Sequence, residues 1–169
     1  MRLGPIVLKI RLGETRFGNM VAGAAELAIA QEETFSGDLA FVVPLEELAG
    51  PNIQDAGLTQ LVTESFSVVV ALRNDNQQRD KTGLGAYDIL DEVRAELFRA
   101  ILNWHPNTDT EHPISYVGGS IIDVTPSYLW YQFDFQYDRF ITEEDGAQDS
   151  NIDDFLSIYA EYVLVCDQE

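Results

Sequence analysis

A chain of 169 residues, 46% hydrophobic and 23% charged, has enough apolar material for one folded domain and too little polarity for a disordered one. Twenty-nine acids against ten bases give a formal net charge of −19, which argues against a protein that grips nucleic acid by neutralising its phosphates. A lone cysteine, Cys166, excludes an intramolecular disulfide, and no run approaches the ~18 apolar residues of a membrane span.

The acidity is uneven. After His105 the only base is Arg139, against fourteen acids, while Met1–His105 carries nine bases and fifteen acids. Such a charge keeps a protein in solution, and a wall of carboxylates also repels phosphates, so that DNA can slide past without sticking. At the N-terminus Arg2 and the run Ile6–Ile10 superficially resemble a secretion signal. Lys9 and Arg11 interrupt that run and no small-residue cleavage site follows, so a soluble, intracellular chain is expected.

In chain order, Pro5–Leu12 reads as a short helix with proline in its first turn, although Ile6, Leu8 and Ile10 also alternate. Val21–Ala30 is alanine-rich, and Ala24, Ala25, Leu27 and Ala28 offer a small-residue packing face. A turn signal at residues 34–38 leads into Leu39–Leu45, a short apolar run expected as a buried strand ending at Pro44. Glu46–Leu58, punctuated by Gly50, Pro51, Asn52 and Gly57, reads as a loop or one helical turn.

Thr59–Arg73 is a strong strand, with Val62, Phe66, Val68, Val70 and Leu72 on one face. Thr63, Ser65 and Ser67 share the other face with Val69 and Ala71, so its far end is apolar on both sides, as in a central strand covered twice. Asn74–Gly85 is a long polar loop, a usual place for contacts. Ala86–Trp104 is the clearest helix: Leu90, Val93, Leu97, Ala100, Ile101 and Trp104 recur at three- and four-residue steps. Ile114–Val124 reads as a strand with Gly118 and Gly119 at a bulge or close approach.

Pro126 turns the chain into Ser127–Ile141, expected to pair antiparallel with the strand before it. Leu129, Tyr131, Phe133, Phe135 and Tyr137 form its core face. Tyr128, Trp130, Gln132, Asp134, Gln136 and Asp138 form the other, an aromatic and polar strip of the kind subunit contacts favour. The competing reading of that strip is that it packs under a helix. Glu143–Asp154 is an acidic loop, and Phe155–Val165 alternates as a final strand. The fold expected is α/β: a single domain over 1–169, with a mixed, mostly antiparallel sheet flanked by helices.

Catalytic chemistry finds little support. His105 and His112 flank Asp109 and Glu111 in a proline-flanked loop, with spacing that fits no closed metal site. Gly83-Leu84-Gly85 lacks the lysine and serine or threonine of a phosphate loop. Glu143/Glu144 and Asp153/Asp154 are acid pairs whose separation in space the sequence does not give. No nucleophile–histidine–acid constellation can be assembled, so neither an enzyme, a cofactor nor a metal is expected.

The order of landmarks carries a resemblance. VAGAAELAIA is followed by LAFVVPL, then LTQLVTESFSVVVALRN, a glycine-containing loop, the helix ending ILNWHP, ISYVGGSIIDV and YLWYQFDFQYDRF. Over residues 21–141 the chain resembles the tail terminator proteins of tailed bacteriophages. That resemblance implies a non-enzymatic virion protein of the tail and neck, assembled in the host cytoplasm. It implies a hexameric ring that caps the head-proximal end of the tail tube, stops tube polymerisation and presents the surface to which the head joins. The partners implied are other copies of the chain, the tail tube protein, a head-completion or stopper protein, and a sheath protein where the tail is contractile. DNA passes through unbound, and no membrane is involved.

On that reading Tyr128, Trp130, Gln132, Asp134 and Gln136 make the strand's contact strip, and Asn76, Gln77, Arg79 and Lys81 reach a neighbour or the tube from their loop. Glu143, Glu144, Asp145 and Asp149 are the acids expected to face the hole. Two alternatives share the acidity and size: another neck, head-completion or tube ring, and an acidic DNA mimic that blocks a DNA-binding enzyme.

Overall fold

A computed structural model of the chain describes residues 1–30, 37–73, 84–125 and 127–146. Among these residues five strands form one sheet in the order β1-β2-β3-β5-β4. They are β1 (Val21–Gly23), β2 (Leu39–Asn52), β3 (Thr59–Arg73), β4 (Thr110–Val124) and β5 (Tyr128–Thr142). β1 runs parallel to β2 and every other neighbouring pair is antiparallel, the mixed and mostly antiparallel sheet that the sequence predicts. Three helices flank it: α1 (Gly4–Leu12), α2 (Ala24–Ala30) and α3 (Leu84–Ile101). A 3-10 turn, Glu143–Asp145, follows β5.

The two faces of the sheet are covered unequally. Ile6 and Ile10 of α1 and Leu90, Val93, Leu97 and Ile101 of α3 pack onto Phe66, Val68 and Val70 of β3 and Phe133, Phe135 and Tyr137 of β5. This is the main core, and α3 reaches it with the apolar stripe read from its sequence. On the opposite face Phe41, Val69, Ala71, Tyr128 and Trp130 form a smaller cluster, with Leu27 and Ala30 of α2 packed against it. β3 is therefore buried on both sides from Phe66 to Leu72, as its two-sided apolar sequence requires.

Several boundaries differ from expectation. Val21–Gly23 is a strand rather than part of a packing segment, and it pairs with Ala40, Phe41 and Val42 before α2 begins. β2 does not stop at Pro44; it continues through Pro44 and Pro51 to Asn52, where a loop was expected. The reason lies in its neighbours. β1 covers β2 only as far as Val42, so both prolines stand on an open edge, where a missing N–H costs no ladder bond. Register shifts after Pro44 and after Ala49 take up the irregularity. β4 also begins at Thr110, before the expected Ile114.

α3 ends at Ile101, and Asn103 beyond it takes the left-handed conformation (φ 60°) that asparagine tolerates better than most residues. Gly119 is a true close approach: a Cβ there would lie 2.8 Å from the Tyr131 ring and 2.9 Å from the Gln132 carbonyl oxygen. Of the earlier expectations, residues 74–83 of the polar loop, the acidic stretch from residue 147 and the final strand Phe155–Val165 lie outside the described residues.

Candidate functional site

The face of the sheet that α1 and α3 leave open is built by every second residue of β3 and β5. Its two ends differ. At one end Tyr128 and Trp130 are buried, 8% and 6% exposed, and Trp130 stacks on Phe41 with ring centroids 6.3 Å apart and planes 21° from parallel. These two residues of the expected contact strip are thus packed within their own subunit, beside α2. Away from α2 the strip continues as Gln132, Asp134, Gln136 and Asp138, all half-buried.

There the side chains are tied into a polar ladder. Ser67, opposite Asp134 in register, donates its hydroxyl proton to the Asp134 carboxylate, which also accepts from Gln132 Nε2 at 2.7 Å. Thr63, opposite Asp138, donates to Asp138 Oδ1 at 2.6 Å, and His112 Nδ1 of β4 lies 3.0 Å from Asp138 Oδ2. Gln136 stands between them, its backbone carbonyl accepting from Ser115. Carboxylates held by neighbouring hydroxyls and an amide make this end of the face an acidic, hydrogen-bonded surface.

The core face ends in an ionic cluster that the sequence reading did not single out. Glu64, 1% exposed, accepts a hydrogen bond from the Tyr137 hydroxyl and another from Arg139 Nε at 2.6 Å, and the Met1 amino group lies 3.5 Å away. Burial alone would raise the Glu64 carboxyl, but the bonds from Tyr137 and Arg139 and the nearby amine outweigh it and hold it below its ordinary value. Burial, together with the bond to Glu64, pushes the Tyr137 hydroxyl up. A signal was present: Glu64 interrupts the apolar series of β3 as Arg139 ends that of β5, and the two strands are neighbours.

Beyond Val42 the β2–β3 hairpin projects past β1 and exposes Leu45, Leu48 and Ile53. Leu48, Ala49, Pro51, Ile53 and Leu61 line an open, largely apolar groove of about 450 Å³. The turn carrying Glu143, Glu144 and Asp145 sits against the tip of this hairpin, where the Glu143 carboxylate approaches Gly57 so closely that a Cβ there would be 2.2 Å from it. All three acids are exposed. Asn76, Gln77, Arg79, Lys81 and Asp149 lie outside the described residues. No cluster of three or more metal-ligating side chains occurs among the described residues, and no helix there is long and apolar enough to cross a membrane.

What the described residues offer, then, is surface: a polar, hydrogen-bonded sheet face and an apolar groove on the β2–β3 hairpin. The family comparison fits that picture, since a model described as phage tail terminator protein matches residues 12–145. The chain belongs to the phage tail terminator family. The match runs from the last residue of α1 to the end of the acidic turn, so it takes in the whole sheet together with α2 and α3. Terminator-family membership gives the chain a structural role in the phage tail, as a component of the virion that meets other tail and head parts. No curated protein matches the chain.

Proposed function

We propose that the chain assembles into a hexameric ring at the head-proximal end of the tail tube, ends tube polymerisation there, and presents the surface to which the head joins. The observation that carries this reading is the terminator-family match over residues 12–145, almost the entire described fold. Its partners are further copies of itself, the tube protein on one side, a head-completion or stopper protein on the other, and a sheath protein where the tail is contractile. The role requires contact surfaces and a hole, not a reaction.

The geometry supports it in two ways. The ladder of Gln132, Asp134 and Gln136 is a hydrogen-bonded polar strip suited to subunit or tube contacts; Asn76, Gln77, Arg79 and Lys81, outside the described residues, are added from the sequence alone as a second contact. The exposed acids Glu143, Glu144 and Asp145, with Asp149, supply the negative charge that keeps DNA mobile in a lumen. Deleting the gene in the phage or prophage that carries it, and imaging the lysate by electron microscopy, tests the reading. Tails of irregular, excessive length with unattached heads are expected. Normal tails joined to full heads would overturn it.

A further inference from the structure

Two exposed surfaces of this chain are opposite in charge and lie on opposite faces of the sheet. The first is the outer side of α1. Burying Ile6 and Ile10 in the core turns Leu8 and Leu12 outward, where they are 56% and 84% exposed. Arg2, Lys9 and Arg11 surround them, and residues 1–12 contain no acid, the first being Glu14. None of these three cations takes part in an ion pair among the described residues. Lys9 rests 5.4 Å over the Trp104 ring and Arg11 donates to the Val21 carbonyl at 2.9 Å, which fixes where their charges stand.

The second surface is the groove at the end of the β2–β3 hairpin. Leu61 and Thr63 line it, and they alternate with Val62 and Glu64, which belong to the face covered by α1 and α3. Residues 39–72 contain no base. Glu46 and Asp55 lie exposed in the hairpin, and Glu143, Glu144 and Asp145 stand at its tip. Glu47 faces the other way: it stands opposite Glu64 in register and its carboxylate lies 3.9 Å from the Met1 amine. Leu48 and Ile53, 58% and 63% exposed, stand at the groove.

We propose that Leu8 and Leu12 of one copy enter this groove on a second copy, with Arg2, Lys9 and Arg11 against its acidic rim. The occupant is argued from charge. Copies of a chain with net charge −19 repel one another over most of their surface. A base-only apolar knob and an acid-only apolar groove are where that repulsion turns into attraction. Because the two patches are different surfaces on opposite faces, the contact is heterologous: each copy gives one and receives one, and the series closes into a ring or runs on as a filament. The closed form rests on the ring reading above; the inference adds which surfaces make it.

The test uses the full chain and two variants, Leu8→Asp with Leu12→Asp and Leu48→Asp with Ile53→Asp, all at exposed positions, with sedimentation velocity and native mass spectrometry as readouts. The unaltered chain should assemble, and each variant alone should lose assembly and remain monomeric with a cooperative unfolding transition. Mixed, the two variants should give a one-to-one dimer that grows no further, since one intact knob and one intact groove remain between them. Should either variant fail to unfold cooperatively, the charge-only changes Arg2→Glu and Glu46→Lys take its place, and each should weaken assembly. Variants that assemble like the unaltered chain, or that form no dimer on mixing, overturn these surfaces and leave the ring reading standing. An unaltered chain that stays monomeric at every concentration, with and without tube protein, overturns both.

Discussion

Glu64 and Tyr137 face each other across β3 and β5, and the Tyr137 hydroxyl donates into a carboxylate that is almost sealed from solvent. Arg139, two residues further along β5 on the same face, adds the second donor. A buried charge held by two donors is stable only while both remain, because the alternative is an unpaired ion in a low-dielectric core. Tyr137→Phe should therefore cost about 1.5–3 kcal/mol, the range for a lost bond to a charged group. Glu64→Ala should cost about 3–5 kcal/mol, since it strands the Arg139 guanidinium and the hydroxyl together. Urea unfolding of both single variants and the double variant measures this; additive effects would count against a coupled pair.

Two ion-paired carboxyls, Glu64 in this cluster and Glu96 of α3 beside Arg16, set how the protein answers acid. Glu64 and Glu96 are both held below their ordinary values: burial pushes each up, and the bonds from Tyr137 and Arg139 to Glu64 and from Arg16 to Glu96 prevail. Carboxyls with depressed folded values contribute stability that is fully present above the unfolded value, about 4.3 for glutamate, and is lost as pH falls through the folded value. Melting temperature should hold from pH 7 down to about pH 5 and then fall steeply. In Glu64→Gln the starting stability should be lower and the acid fall shallower. A fall as steep as in the unaltered chain would assign the acid sensitivity elsewhere.

β3 and β5 were legible in the sequence because apolar residues recur at every second position over Phe66–Leu72 and Leu129–Tyr137, a period that belongs to strands. The reading of β2 failed where Pro44 and Pro51 gave stop signals, since proline ends a strand only when both sides are paired, and the short length of β1 is not a local property of β2. β1 itself, three residues long, leaves no periodicity to find. For the contact strip, alternation sorts the side chains onto their faces and leaves open what covers them. Trp130 and Gln132 share one face of one strand, yet Trp130 is buried in the cluster that Leu27 and Ala30 of α2 pack against, while Gln132 stays half-buried in the polar ladder. That difference is a long-range packing fact, written in no window around either residue.

Gly118 and Gly119 separate two roles that the sequence shows as a single pair. A Cβ at Gly118 would meet nothing within 4 Å, whereas one at Gly119 would strike both the Tyr131 ring and the backbone of β5. The ring could swing away, but the Gln132 carbonyl belongs to the backbone of β5 and cannot move without disturbing the β4–β5 ladder. Gly119→Ala should therefore destabilise by about 1–3 kcal/mol, and Gly118→Ala should stay within about 0.5 kcal/mol of the unaltered chain. Thermal unfolding of the two variants side by side decides it, and equal midpoints would mean that the strand can shift as a unit.

Trp130 reads folding before it reads assembly. It is 6% exposed and fills the cluster between Phe41 and Val69 on the α2 side of the sheet. Removing its ring leaves a cavity, so Trp130→Ala should cost about 3–5 kcal/mol in chemical denaturation. Asp134, on the same face of β5 but beyond α2, gives the cleaner probe of contact. Asp134→Asn keeps one acceptor oxygen for Ser67 and Gln132 and should cost only about 1 kcal/mol, so any larger loss of assembled mass belongs to the surface and not to the fold. Were Trp130→Ala to abolish assembly with its unfolding midpoint unchanged, the indole would be serving a neighbouring subunit and the packing account of this face would be wrong.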